Sequence, residues 1–234
     1  MFSIIIPLFN EEKNIGNLID EILYSLKNYK NYEIILVDDA STDKTLKIIK
    51  SFKSNYFKIL TNSRNQGQSF SIYKGIKNSL NNIIITLDGD GQNDPEDIPN
   101  LLKKYISNDD IKLVGGIRRK RQDSIIKIIS SRIANYVRSN ILNDDCRDTG
   151  CSLKIFDREI FLKFPFFNGI HRFLPALFKG YGYKTIFINV NHRKREYGIS
   201  KYGTFNRMFS GIRDIYKVHK ILKKKWDDLS FRFT

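Results

Sequence analysis

Cysteine is almost missing from this chain. Cys146 and Cys151 are the only 2 in 234 residues, and neither a second pair nor nearby histidines complete a structural zinc site. Two reduced thiols in a cytosolic setting is what that leaves. Glycine and proline are scarce, at 14 and 5. With no internal repeat and no low-complexity run, this excludes disorder and a solenoid. None of the 3 histidines stands with a serine or cysteine in a nucleophile motif, which disfavours covalent catalysis. No apolar run reaches the roughly 18 residues needed to cross a bilayer. The apolar run from Phe2 to Leu8 is short, with no basic region before it and no small-residue cleavage site after it, so it does not read as a signal. The expectation is a protein of the cytoplasm, peripheral on the cytoplasmic face of a membrane.

Acidic charge is also in deficit: 25 Asp and Glu stand against 40 Lys and Arg, a formal net charge of +15. Such an excess implies an anionic partner, whether nucleic acid, a phosphorylated substrate or an anionic membrane surface. The 41% hydrophobic content suffices for one substantial domain with a buried core.

Short Ile- and Val-rich runs recur at Phe2–Leu8, Glu33–Val37, Phe57–Leu60, Ile83–Leu87 and Ile111–Val114. Helical spacing lies between them, in Ile15, Leu18, Ile19, Ile22, Leu23 and Leu26, in Leu46, Ile48 and Ile49, and in Ile72, Ile76 and Leu80. This alternation predicts an α/β fold whose mostly parallel sheet is covered on both faces. Ligands of such sheets bind at the carboxyl ends of the strands. Asn10 and Glu11, Asp38 and Asp39, Arg64 and Asn65, and Asp88 and Asp90 sit there. Further along, the pattern predicts a helix over Ile125–Asn140 and strands at Ser152–Phe156 and Thr185–Val190. We divide the chain into a catalytic domain, 1–204, and a tail, 205–234. In the tail, Phe205, Met208, Phe209, Ile212, Ile215, Tyr216 and Val218 or His219 form an apolar stripe, with Arg213, Lys217, Lys220 and Lys223–Lys225 mostly off it. That is a basic amphipathic helix. It either packs on its own domain or lies on a membrane surface with Trp226 near the interface.

The strongest local signal is Leu87-Asp88-Gly89-Asp90-Gly91-Gln92, directly after an Ile-rich strand. Two carboxylates separated by one glycine can converge on a hard cation, and the glycines let backbone approach a charged ligand. Asn93-Asp94-Pro95 then reads as a helix start. A cation bridging the oxygens of a departing nucleoside diphosphate would stabilise its growing charge. The second pair, Asp38-Asp39, precedes Ser41-Thr42-Asp43, of which Ser41 or Asp43 can cap the next helix. The run Arg118 to Arg121 reads either as a solvated basic loop or as a contact for anionic headgroups.

Four blocks in order, Ile6-Pro7-Leu8-Phe9-Asn10-Glu11-Glu12, Val37-Asp38-Asp39-Ala40-Ser41-Thr42-Asp43, Arg64-Asn65-Gln66-Gly67 and Asp88-Gly89-Asp90-Gly91-Gln92-Asn93-Asp94-Pro95, carry a resemblance. The chain resembles the family 2 glycosyltransferases of the dolichyl-phosphate mannosyltransferase and bactoprenyl-phosphate glycosyltransferase branch, which have the Rossmann-like GT-A fold. The similarity continues through Gly116-Ile117-Arg118, Ser131-Arg132, Asp148-Thr149-Gly150-Cys151-Ser152, Gly169-Ile170-His171-Arg172 and Arg195-Glu196-Tyr197-Gly198-Ile199-Ser200-Lys201, and reaches about residue 207.

The resemblance implies that Pro7, Leu8, Asn10 and Glu11, with Asp38, hold the nucleobase and ribose. It places Asp88, Asp90 and Gln92 around Mg²⁺ or Mn²⁺ and the diphosphate. It sets Arg118, with Arg119 as the alternative register, and Arg132 beside Ser131 at the acceptor phosphate. Arg195, Ser200 and Lys201 match a loop closing over the donor. Many members of the branch continue into membrane-spanning helices, whereas this chain ends soon after Lys225. The expectation is therefore that the tail or a separate membrane protein anchors it.

The implied reaction moves a hexose-type sugar from a UDP or GDP donor to a polyprenyl or dolichyl phosphate, with inversion. A phosphate monoester, with its second pKa near 6, is already largely ionised at neutral pH and needs no protein base. Aligning two anions does need arginines, lysines and a metal. Two alternatives differ in what they require. Transfer to a glycan hydroxyl needs a base, for which Asp148 is the candidate. A nucleic-acid-binding module has only the net charge in its favour, lacks any recognisable motif, and would present acidic strand ends to phosphate, so no nucleic-acid partner is expected.

Overall fold

The computed structural model describes residues 1–52, 54, 56–119, 136–195 and 204–230, with side chains of the last helix described from 211 to 225. In chain order the elements are β1 (Phe2–Leu8), α1 (Ile15–Ser25), β2 (Tyr32–Asp38), α2 (Thr45–Ser51), β3 (Phe57–Thr61), α3 (Gln68–Lys77), β4 (Ile83–Thr86), a 3₁₀ turn (Pro95–Asp97) leading into α4 (Ile98–Ile106), and β5 (Ile111–Arg118). A helix α5 is described over 136–142. Then come β6 (Lys154–Asp157), α6 (Arg158–Leu162), a 3₁₀ turn (Ile170–Arg172), α7 (Leu174–Gly180), β7 (Lys184–Val190) and α8 (Thr204–Ser230).

The seven strands form one sheet in the order β3-β2-β1-β4-β6-β5-β7. All neighbours run parallel except β6, which is antiparallel to both β4 and β5. The continuously apolar strands follow from coverage on both faces. The pleat of β1 sends Ile4, Ile6 and Leu8 to one face, where α1 and α4 supply Ile19, Ile22 and Leu101. It sends Ile5 to the other, against Ile72 and Ile76 of α3, Phe178 of α7 and Val218 of α8.

Register sets the active edge. Leu8 pairs with Asp38 and Ile5 with Thr86, so β1, β2 and β4 end at one edge of the sheet. Segments 9–14, 39–44 and 87–92 leave from that edge side by side.

Three expectations need correction or narrowing. Leu80 lies beyond α3 and is 84% exposed, so it is not part of the buried stripe. The helix closes at Asn78, whose amide donates to the Lys74 and Gly75 carbonyls and whose side chain donates to Lys74 O. β5 runs four residues past Val114, because it stays paired with β7 as far as Arg118 opposite Val190. The tail stripe is split: Val218 and Leu222 are buried with Asp214 against the domain, while Ile212 and Tyr216 are exposed. Packing on its own domain is therefore what the inner face of α8 does. Most of the expected 125–140 helix, and Phe205, Met208, Phe209 and the Trp226 side chain, lie outside the described residues.

Candidate functional site

The loop after β1 is tied to the loop after β2 by side chains that the sequence places at one edge. Asn10 takes a left-handed φ of 54°, and its Oδ1 accepts from the Thr42 amide at 2.8 Å. Its own amide donates to Ser41 Oγ at 3.0 Å. Asp43 accepts from the Thr45 amide at 2.9 Å and from the Glu12 amide at 3.1 Å, so it both opens α2 and clamps the first loop. Bonding from Thr45 and Glu12 outweighs burial and holds the Asp43 carboxyl below the usual range.

The adjacent carboxylates Asp38 and Asp39 have different surroundings. Asp39 is fully used within the protein: Oδ1 accepts from Asn62 Nδ2 and the Gln66 amide, and Oδ2 from the Gly67 amide. It holds the Arg64-to-Gly67 loop. Asp38 accepts only a long 3.3 Å bond from the Ser41 amide at Oδ2, and its buried Oδ1 has no partner among the described residues. A buried acceptor without a donor is costly. It is a place for a ligand N–H or O–H. Leu8, by contrast, is 1% exposed and packs in the core, and its carbonyl accepts from the Asp39 amide at 2.7 Å.

Asp88 and Asp90 flank Gly89. A Cβ on Gly89 would sit 2.3 Å from Leu8 Cδ2 and 3.3 Å from the Pro7 carbonyl. Glycine is what lets this loop lie against the end of β1. Pro7 and Leu8 thus seat the carboxylate loop. Burial, then repulsion from Asp90, pushes the Asp88 carboxyl up to about 7. Burial raises Asp90 as well, with Arg195 opposing the rise. Gln68, first residue of α3, donates to Asp88 Oδ1 at 2.7 Å. Gln92 donates its amide to Asp90 Oδ1 at 3.1 Å and its side chain to the Arg193 carbonyl at 3.4 Å.

Arg195 reaches across from the segment after β7. It donates to Glu11 Oε1 at 2.8 Å and stands 3.9 Å from Asp90 Oδ2, which joins the first loop to the carboxylate pair. Arg118 meets Asp148 through two parallel bonds of 2.7 and 2.6 Å. Its charge also reaches Asp88. The strand pleat sends exposed Arg119 the other way, toward Asp97, so Arg118 is the one at this edge. Ser131, Arg132, Ser200 and Lys201 lie outside the described residues.

Among the described residues no three His, Cys, Asp or Glu side chains gather as a metal cluster. Two partly buried, mutually repelling carboxylates nonetheless suit a Mg²⁺-type ion, which takes one or two carboxylates and completes its shell with phosphate oxygens and water.

Residues 3–164 match the model of the family described as Glycosyl transferase family 2. The chain belongs to glycosyl transferase family 2. Among curated relatives of this transferase, it is 34% identical over 230 residues to a dodecaprenyl-phosphate galacturonate synthase of Rhizobium johnstonii, covering 95% of this chain and 68% of that one. It is 35% identical over 218 residues to an undecaprenyl-phosphate 4-deoxy-4-formamido-L-arabinose transferase of Pectobacterium carotovorum, covering 91% and 65%. The chain therefore spans about two thirds of the length of these polyprenyl-phosphate sugar transferases.

A solved structure with the same fold is glucosyl-3-phosphoglycerate synthase from Mycobacterium tuberculosis in complex with Mn²⁺, UDP and phosphoglyceric acid. The TM-score is 0.68 at 17% identity, over 93% of this chain and 76% of that one. The same enzyme was also solved with Mg²⁺ and UDP, at a TM-score of 0.67 and 17% identity over 93% and 77% of the two chains. The mostly parallel GT-A architecture expected from sequence is what this family 2 transferase has.

Sequence reasoning missed two members of the site and one contact of a third. Gln68 reaches Asp88 from a helix whose start was read only from apolar spacing. Glu11 was assigned to the nucleoside but also pairs with Arg195. Lys154, 3% exposed, carries its charge to Asp88 from the only antiparallel strand among those described. The block Asp148 to Ser152 ended two residues short of it.

Proposed function

We propose that this protein transfers a hexose-type sugar from a nucleoside diphosphate donor, UDP- or GDP-linked, to a polyprenyl phosphate, inverting the anomeric centre. The observation that carries the reading is the Asp88 and Asp90 pair, raised toward protonation by burial and mutual repulsion at the strand edge where the nucleotide-facing Asp38 also ends. The relatives named above support polyprenyl phosphate as the acceptor class.

In this reading Asp38, with its open Oδ1, faces the nucleobase, and the loop shaped by Pro7, Leu8, Asn10 and Glu11 holds the nucleoside. Asp88 and Asp90, with Gln92 bracing Asp90, would hold Mg²⁺ or Mn²⁺. When bound, the ion neutralises the departing diphosphate. Arg195 aligns the donor beside Asp90, with Ser200 and Lys201 following in the same segment. Arg118, held by Asp148, and Ser131 and Arg132 position the acceptor phosphate. A phosphate oxygen attacks the anomeric carbon as the bond to the diphosphate breaks, its electron pair leaving with the diphosphate. No protein base is required, because the acceptor is already an anion.

The geometry disfavours a glycan hydroxyl as acceptor. Its candidate base, Asp148, has both oxygens engaged by Arg118. The exposed face of α8, with Ile212 and Tyr216 among Arg213, Lys217, Lys220, Lys223 and Lys224, supports contact of the 205–234 tail with an anionic membrane surface on the cytoplasmic side. No helix among the described residues is long and apolar enough to cross a membrane.

The test is a donor screen that measures released nucleoside diphosphate with Mg²⁺ or Mn²⁺, with and without a short polyprenyl phosphate. We expect release only with both metal and lipid phosphate. Release supported by glycans but not by the lipid phosphate would overturn the acceptor assignment.

A further inference from the structure

His171 lies in the 3₁₀ turn Ile170–Arg172, against the first turn of α3. Its Nδ1 is 2.7 Å from Ser69 Oγ. The same hydroxyl accepts from the Gly169 amide at 2.7 Å. A serine hydroxyl carries one hydrogen. Among the described residues the acceptor within reach of that hydrogen is His171 Nδ1. An Nδ1 that accepts puts the ring proton on Nε2. Burial, followed by the nearby charges of Arg172 and Lys154, lowers the His171 pKa to about 3, so the ring is neutral at physiological pH. The result is an imidazole of fixed tautomer with an N–H at Nε2, and among the described residues nothing accepts from it.

Its position is informative. Gln68, one residue before Ser69, donates to Asp88, so the ring stands two side chains from the carboxylate pair. Lys154 acts electrostatically on both Asp88 and His171. The Lys154 ammonium bonds to the carbonyls of Thr149 and Cys151, and it has no carboxylate partner among the described residues. This corner therefore holds a buried positive charge, within electrostatic reach of Asp88, beside a directed neutral donor. A hydroxyl would be served by the donor alone. An anionic oxygen uses both.

We propose that His171 contacts substrate, donating its Nε2–H to a phosphate oxygen, with Lys154 supplying buried positive charge beside that oxygen. The inference rests on phosphates occupying the site as proposed above. The phosphate is that of the acceptor or the leaving diphosphate, and the experiment separates them. A merely structural His171 would only pin the 3₁₀ turn to Ser69.

Two substitutions divide these roles. His171→Asn keeps a polar atom near the Nδ1 position, and hence the Ser69 contact, but loses the distal donor. His171→Gln keeps a donor near Nε2 and loses the Ser69 contact. We expect His171→Asn to lower kcat/KM about 100-fold, the scale for losing one preorganised donor, with melting temperature within a few degrees of wild type. His171→Gln should recover at least tenfold over it. A His171→Asn variant within about threefold of wild type would overturn the proposal.

Should the variants not fold, the wild-type protein still decides. With 15N-labelled histidine, the His171 Nε2–H resonance is one of 3 to assign. It should shift on adding Mg²⁺ and UDP if the leaving diphosphate is the partner, or on adding a short prenyl phosphate if the acceptor is. No shift with either would overturn the proposal. Wild-type protein that turns over no polyprenyl phosphate would sink the proposed function instead, a separate outcome.

Discussion

Asp88 and Asp90 are poorly placed for stability, and this shapes what their replacement does. Both carboxyls are raised by burial, Asp88 further by Asp90. Asp90→Asn removes one of two repelling charges. We expect turnover to fall by about 10² to 10³, the scale for a major transition-state electrostatic contact, while the melting temperature without metal holds or rises. A turnover near wild type would remove Asp90 from the site.

His171 gives a pH dependence of defined sign. Unfolded, its ring titrates near 6.5; folded, near 3. The folded state therefore binds fewer protons between those values, and the stability contributed, full above pH 6.5, is lost as pH falls toward 3. Asp88, raised from 3.8 to about 7, has the opposite slope, gaining stability as pH falls through 7. The difference between wild type and His171→Asn isolates the histidine. Thermal melts from pH 7.5 to 4.5 should show the variant losing less stability than wild type, and parallel curves would contradict the depressed value. At this scale the sequence was partly legible. Aspartates spaced by one glycine announce themselves, but the tautomer of His171 depends on Ser69, 102 positions away.

At the scale of elements, α8 shows what periodicity conveys and what it omits. The stripe correctly marked an amphipathic helix, but it could not say that Asp214, a charged residue, belongs to the inner face. Asp214 is 3% exposed because it pairs with Arg172 at 2.8 Å. Gly169, at φ 103°, makes room for it: a Cβ there would lie 2.7 Å from Asp214 Oδ2. Asp214→Ala should cost about 2 kcal/mol, the range for a hydrogen bond to a charged partner, and should raise amide exchange in 211–225 more than in β1 or β4. Uniform exchange changes would show that Asp214 does not anchor the helix. Similarly, β1 to β4 and their helices were readable because each strand is continuously apolar and each helix amphipathic. The antiparallel insertion of β6 between β4 and β5 was not, since nothing in Lys154–Asp157 encodes direction.

For the whole molecule, the parallel sheet delivers loops 9–14, 39–44 and 87–92 to one edge, and the chain returns 184 positions later to place Arg195 on Glu11. That long return explains why the motifs could be found one by one but their contacts could not. The excess charge of +15 is shared by the outer face of α8. We expect binding to vesicles containing anionic phospholipid that weakens as salt rises from about 0.05 to 0.5 M, following screening of surface charge. Equal binding to zwitterionic vesicles would contradict an electrostatic contact.

The measurement that bears most directly on the central claim is a crystal structure of the protein with manganese and nucleoside diphosphate, read by anomalous scattering. We expect a manganese peak within coordination distance of Asp88 and Asp90, the diphosphate on its far side and the base against Asp38. A nucleotide bound with its diphosphate away from those two carboxylates, or manganese held elsewhere, would contradict it.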